Sequence, residues 1–175
     1  MTTQLPRPAA GEYAQFYAGY IAEMPDGDLL AALERQGEET FSLLSALPEQ
    51  RGHHRYAPGK WSIKDIACHL ADAERVFAYR ALRFARGDAS PLAGFDENDY
   101  VRAAGAETRP LVELAAELHA VRRSTIALLR GLPPGAAERR GTANGAEMSV
   151  RALAWVIAGH ERHHIRVLHE RYLTG

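Results

Sequence analysis

The stretch from about Ser149 to Leu173 constrains the fold most, because it sets a cluster of histidines into a long apolar stripe. Val150, Leu153, Ala154, Ile157, Val167 and Leu168 recur at steps of three and four. That is the period of a helix burying one face against its neighbours. His160 and His164 fall on the same stripe. Side chains four apart stand one above the other on a helix, so both imidazoles are expected to point inward. Each alone reads as a satisfied core histidine. As a pair they present two of the three nitrogens that a catalytic zinc ion takes from protein.

The third nitrogen comes from an earlier stripe. Ser62 and Asp65 have the spacing of a capping box, with Asp in place of the usual Glu or Gln. The helix they open carries Ile63, Ile66, Leu70, Ala73, Phe77, Ala81 and Phe84 on one face, and His69 belongs to that face. Two more helical patterns complete the set. Leu29, Leu30, Leu33, Phe41, Leu44 and Leu47 follow a cap at Asp26 or Asp28 and stop at Pro48. Leu111, Leu114, Leu118, Val121, Leu128 and Leu129 follow Pro110, with His119 beside the stripe at the rim. Tyr13, Phe16, Tyr17, Tyr20 and Ile21 predict a short structural helix or arm.

No strand-period segment of useful length stands out, although Asn144-Gly145 is a strong turn signal and Ser149 suits a helix cap. The long connection between Arg86 and Arg109 is of the kind that is functional or mobile, and could roof a pocket. The reading is therefore an all-α, four-helix bundle: residues 1–25 an N-terminal arm or short helix, 26–175 one bundle domain.

Composition narrows the function. The 21 basic and 22 acidic residues balance to a net charge of -1, with no basic block, which argues against nucleic acid. No run of about eighteen apolar residues exists, and the N-terminus lacks a secretory pattern, so a soluble, cytoplasmic protein without a membrane partner is expected. Cys68 is the single cysteine, which excludes an internal disulfide. It points about 100° away from His69 and reads as core.

His69, His160 and His164 thus form the expected metal triad, with a fourth position open to water, substrate or an anion. One divalent ion is expected, zinc first and nickel next, since nitrogen ligands suit several metals. His163 flanks the triad as an acid/base candidate. Asp65 and Asp72, four before and three after His69, are candidates to accept its other ring N–H. His160-Glu161-Arg162-His163-His164 also matches H-E-x-x-H, which makes Glu161 a candidate base. A metzincin would need Gly at 167 and His at 170, where this chain has Val167 and Glu170. Asp96 and Glu97 complete the base candidates by position.

Pro58-Gly59-Lys60-Trp61-Ser62-Ile63-Lys64-Asp65 leading to His69-Leu70, followed by Gly159-His160-x-x-His163-His164, resembles the DinB-like superfamily near its YfiT branch. Arg80-Ala81-Leu82-Arg83, Gly94-Phe95-Asp96 and Asp99-Tyr100 extend the resemblance. It implies an antiparallel four-helix bundle, a homodimer, and a zinc or nickel ion on His69, His160 and His164. It also implies a metal-dependent hydrolase, or an S-transferase joining a low-molecular-weight thiol to a small-molecule substrate. The alternative is a non-enzymatic metal-binding or dimerising bundle protein.

Overall fold

The structure is a computed structural model and describes residues 5–174; residues 1–4, the start of the expected arm, and Gly175 lie outside the described residues. After two 3-10 turns, α1 (Ala18–Glu23) leads to α2 (Leu29–Ala46), α3 (Ile63–Ala85) and the short α4 (Glu97–Ala104). Next come α5 (Leu111–Arg130), a hairpin of β1 (Arg140–Ala143) and β2 (Ala146–Ser149), and α6 (Val150–Val167), which ends in a π-helical turn, Leu168–Tyr172. No helix among the described residues is long and apolar enough to cross a membrane.

Local chemistry places the helix starts. The Asp28 carboxylate accepts from the Leu30 and Ala31 N–H groups, so Asp28, not Asp26, caps α2. Ser62 Oγ accepts from Asp65 N–H at 3.1 Å while Asp65 Oδ2 accepts from Ser62 N–H at 2.8 Å, the reciprocal capping box. Ser149 Oγ accepts from Ala152 N–H and caps α6. The hairpin was not expected from the sequence. Its strands are only four residues each, and Asn144, at φ 51°, makes its turn with Gly145 at φ 73°.

α2, α3, α5 and α6 make the four-helix bundle. Glu38 meets His119 near the middle of α2 and α5, and Glu34, earlier in α2, meets Arg130 at the end of α5, so that pair is antiparallel. His69 faces His160 on α6 while Phe84 lies under Gly141, just before α6, so α3 and α6 are also antiparallel. α3 and α5 run the same way: Lys64 reaches the Glu107 carbonyl near both starts, and Glu74 meets Arg122 farther along. α2 and α6 do so too, with Gln36 donating to the Ala158 carbonyl at 3.1 Å and Arg51 to the Tyr172 carbonyl at 2.6 Å beyond the helix ends. Because α3 and α5 are parallel, the chain must return along the bundle between them, about 30 Å for a 20-residue helix. The 86–110 connection, with α4 inside it, makes that crossing.

The core comes in two apolar parts. One, at the hairpin end, holds Leu33, Phe84, Leu129, Met148, Leu153 and Trp155; the other holds Leu44, Ile63, Leu70, Leu111, Leu118 and Tyr172. A polar layer crosses all four helices between them: Gln36 and Thr40, His69 and Glu74, Arg122 and Thr125, His160 and Glu161, all buried.

The N-terminal segment belongs to the same core. Leu5, Tyr17, Ile21 and Met24 pack with α6 residues, and Trp155 Nε1 donates to the Leu5 carbonyl at 2.9 Å. Glu12 pins this segment to the start of α6, accepting from Arg151 Nε and from Ser149 Oγ, each at 2.7 Å. The Arg151 hydrogen bond, against the cost of burial, holds the Glu12 carboxyl down at about 2. A folded pKa below the unfolded value means that the contact stabilises above pH 4.5 and fades as pH falls toward 2. The shift corresponds to about 3 kcal/mol. Denaturant titrations at pH 7 and pH 2.5 should therefore show wild type losing most of that margin over Glu12→Gln on acidification; an equal margin at both pH values would contradict it.

Candidate metal centre

Three imidazoles converge on the polar layer. His69 comes from α3, and His160 and His164 from consecutive turns of α6. Their candidate donor atoms all lie within 4.8 Å of one another, and ring centroids are 4.6 Å (His160–His164) and 5.0 Å (His69 to either) apart. His69 Nε2 and His160 Nε2 are 3.1 Å apart. Two nitrogens on one tetrahedral zinc, at the usual bond lengths, stand about 3.3–3.4 Å apart. Rings so close repel if charged, and burial disfavours charge further. Burial lowers the His69 pKa to about 4 and, with His69 and His163 adding to it, that of His164 to about 3; His160 is pushed well below its ordinary value by burial, then by His164 and His69. All three rings are therefore neutral at pH 7 and carry the free lone pairs that a divalent cation takes.

Aromatic rings fix these planes. Trp61, just before the capping box, lies 4.7 Å from the His69 ring and stacks on His164 at 6.3 Å. Tyr20 and Phe77 meet His160 edge-on at 5.2 and 6.0 Å. Tyr20 comes this close because α1 lies against Gly159, where a Cβ would fall 1.8 Å from the Tyr20 carbonyl oxygen. The rings open onto a cavity of about 210 Å³ walled by Phe16, Tyr17, Tyr20, Trp61, Phe77 and Phe95, with Arg80, Glu97 and Asn144 as its other polar groups. Its roof is the crossover: Leu92 N–H donates to the Thr142 carbonyl at 2.9 Å and Asn144 N–H to the Leu92 carbonyl at 3.0 Å, tying the 91–95 stretch to the hairpin. A larger groove, about 1370 Å³, opens along α2 and α6 near Leu43 and Ile165, and its walls include none of the three histidines.

The other sequence candidates separate. Among the described residues no fourth donor joins the three. Cys68 packs in the apolar part below, and burial pushes its thiol up to about 11. His163 turns to the flank, its Nδ1 3.3 Å from Arg166 and 3.7 Å from Glu23. Asp65 is occupied by the capping box and by Arg55 at 2.8 Å, and Asp72 pairs with Arg75 at 3.3 Å, so neither carboxylate meets the His69 ring. Glu161 departs most from the zincin pattern. It points into the bundle centre, where Arg122 Nη1 donates to it at 2.7 Å. Arg122 also grips Glu74 through Nε and Nη2, at 3.0 and 2.8 Å, and donates to the Leu33 carbonyl at 3.1 Å. Of the loop candidates, Glu97 reaches the cavity mouth, whereas Asp96 caps α4 by accepting from the Asn98 and Asp99 N–H groups. Sequence reasoning missed Arg122 with Glu74, and Arg80, and treated Tyr17 and Tyr20 as structural only.

Comparison with known proteins bears on both fold and site. The family model of the DinB superfamily matches residues 32–168, which include all three histidines. Among solved structures, YfiT from Bacillus subtilis, described as a probable metal-dependent hydrolase with an unusual four-helix bundle topology, superposes with a TM-score of 0.73. It shares 18% sequence identity, with 81% of this chain and 82% of that chain covered. No curated protein matches the chain in sequence.

Proposed function

The chain belongs to the DinB superfamily, and from that membership and the convergence of His69, His160 and His164 we propose that it is a metal-dependent enzyme acting on a small molecule. The three imidazoles hold one divalent ion, zinc in the first place and nickel next. The reaction is hydrolysis, in keeping with the description of YfiT as a probable metal-dependent hydrolase, or transfer of a low-molecular-weight thiol. The observation that carries this reading is a three-nitrogen donor set whose fourth side faces a cavity rather than another protein ligand. A structural site is closed by a fourth ligand; a catalytic one keeps that side open.

When bound, such an ion supplies Lewis acidity at the open side, enough to polarise a carbonyl group or lower the pKa of a thiol. The chain's own residues do the rest. The low pKa values of the rings keep their lone pairs free at neutral pH. Trp61, Tyr20 and Phe77 fix the ring planes and give the reacting end an aromatic wall. Burial, with Glu97 next, raises the Tyr20 pKa, so its phenol remains an O–H donor inside the cavity. The absence of a cysteine in the cavity suits a thiol that arrives as a substrate.

Elemental analysis of untagged protein tests this, beside the His69→Ala, His160→Ala double variant. About one zinc or nickel per chain, lost in the double variant, is the expected result, and it justifies screening esters and amides, then thiols with electrophiles. No metal in wild type, even after reloading with zinc and nickel, would overturn the proposal.

A further inference from the structure

Arg80 is the one buried charged residue among the cavity's other polar groups, and the metal centre leaves its chemistry unused. It is 2% exposed, and buried cations are normally matched by carboxylates. Arg122, 1% exposed, follows that rule with Glu74 and Glu161. Arg80 does not. Among the described residues it has no carboxylate within ion-pair distance: Nη2 donates to the Ala93 carbonyl at 3.0 Å, and the guanidinium carbon lies 5.8 Å from the Phe77 ring centroid. A guanidinium carries five N–H donors, so one carbonyl leaves most of that capacity unused. Glu97 shares the cavity, but it is exposed at the rim and keeps its own hydration.

Placement says what the spare donors face. His69, Ala73, Phe77 and Arg80 follow one another along α3 at steps of four, four and three, so they share a face, and all four line the cavity. Long side chains on a helix lean toward its N-terminus, which here is the direction of His69. Ala73 adds only a methyl group to the floor between them. The cavity therefore has a cationic fork at one end, three imidazoles at the other and aromatic walls along its length. Its volume of about 210 Å³ compares with the roughly 150 Å³ that holds benzene in an apolar protein cavity.

We propose that Arg80 is the anion-recognition group of this cavity, receiving a carboxylate of the substrate fork to fork so that the rest of the molecule lies along α3 toward His69, His160 and His164. A planar carboxylate matches the guanidinium fork with two parallel hydrogen bonds. The substrate class is a small, partly apolar carboxylic acid of about benzoate size. The orientation toward the histidines rests on the metal-site reading; the recognition of a carboxylate does not.

Benzoate and benzamide, near-equal in shape and differing in charge, are the probes. Each is titrated calorimetrically into zinc-treated wild type, Arg80→Met and Arg80→Lys. Wild type should bind benzoate at least about tenfold tighter than benzamide, as charge-assisted hydrogen bonds predict. Arg80→Met should bring the two within about twofold by weakening benzoate alone, and Arg80→Lys should keep only part of the preference. Zinc content should be unchanged in both variants. Should Arg80→Met fail to fold without its Ala93 contact, Arg80→Lys decides, because lysine keeps the charge and can still reach a carbonyl but has no fork. A wild-type ratio near one, no measurable benzoate binding, or an undiminished preference in the variants would overturn the proposal. The same titration on the His69→Ala, His160→Ala double variant separates the two readings: a benzoate preference without zinc leaves the Arg80 assignment standing by itself. A preference lost there, while Arg80 is intact, assigns the carboxylate to the metal and overturns it.

Discussion

Arg122→Met is expected to destabilise the protein by about 3–5 kcal/mol, the typical result of removing one member of a buried ionic group. The loss comes less from the contact than from what is left behind. Glu74 and Glu161 are 4% and 3% exposed, and without the guanidinium two carboxylates face each other at the bundle centre with no counter-charge. Arg122 itself is held charged: burial works against the cation, but Glu161 and then Glu74 more than compensate and raise its pKa. At about 2–4 °C per kcal/mol for a chain of this size, the melting temperature should fall by roughly 6–20 °C. The informative comparison is the triple variant Glu74→Met, Arg122→Met, Glu161→Met. Replacing a whole buried ionic group by apolar residues of similar volume is commonly neutral or stabilising, so the triple variant should recover most of the lost stability. Equal damage in the single and triple variants would show that packing of the Arg122 side chain, including its methylene group 2.9 Å from where a Gly37 Cβ would stand, is what matters.

Gly159→Ala is expected to lift α1 off the bundle. The added Cβ would lie 1.8 Å from the Tyr20 carbonyl oxygen and 2.4 Å from its carbonyl carbon. Both are backbone atoms, so no side-chain rotation relieves the clash. Either α1 or α6 must move, and α6 is held at its centre by Arg122 and at its start by the Ser149 cap. α1 is the freer of the two. Its displacement would expose Ile21 and Met24, now 2% and 3% exposed, at about 1.5–3 kcal/mol each if complete. Hydrogen exchange should speed up across residues 17–24 while α3 and α5 stay protected, and limited proteolysis should cut before Leu29. The three histidines, carried by α3 and α6, should stay together, so metal uptake should survive while the cavity loses its Tyr20 wall. Unchanged exchange in residues 17–24 would contradict the expectation.

What the sequence made legible follows from how far each signal travels. His160 and His164 are four residues apart on one stripe, and His69 lies on another; periodicity alone brings out that convergence. The capping box was equally local and equally plain, but it also removed Asp65 from the site, because a carboxylate bound to its own helix start cannot reach a ring one turn on. Glu161 shows the limit of a motif. H-E-x-x-H fixes spacing but not which neighbour a glutamate meets, and one residue past His160 the helix has turned toward Arg122. Arg122, next to Arg123 and followed by Ser124 and Thr125, looks like a solvated face; its partners lie 48 and 39 residues away. The hairpin was hidden because two four-residue strands, one containing Gly141, leave little alternation to read.

The parallel course of α3 and α5 has a consequence for assembly. Walls of the cavity come from residues near 20, 61, 77, 95, 144 and 164, and nothing brings them together until the crossover has been laid down and the last helix has docked. Contacts of such long sequence separation form late, since closing long loops costs entropy before any packing offsets it. A chain synthesised from its N-terminus therefore carries His69 without its two partner imidazoles until α6 has been made. The partners at 160 and 164 arrive together on the last turns of α6, so the cluster of nitrogen donors records that this helix has docked against α3.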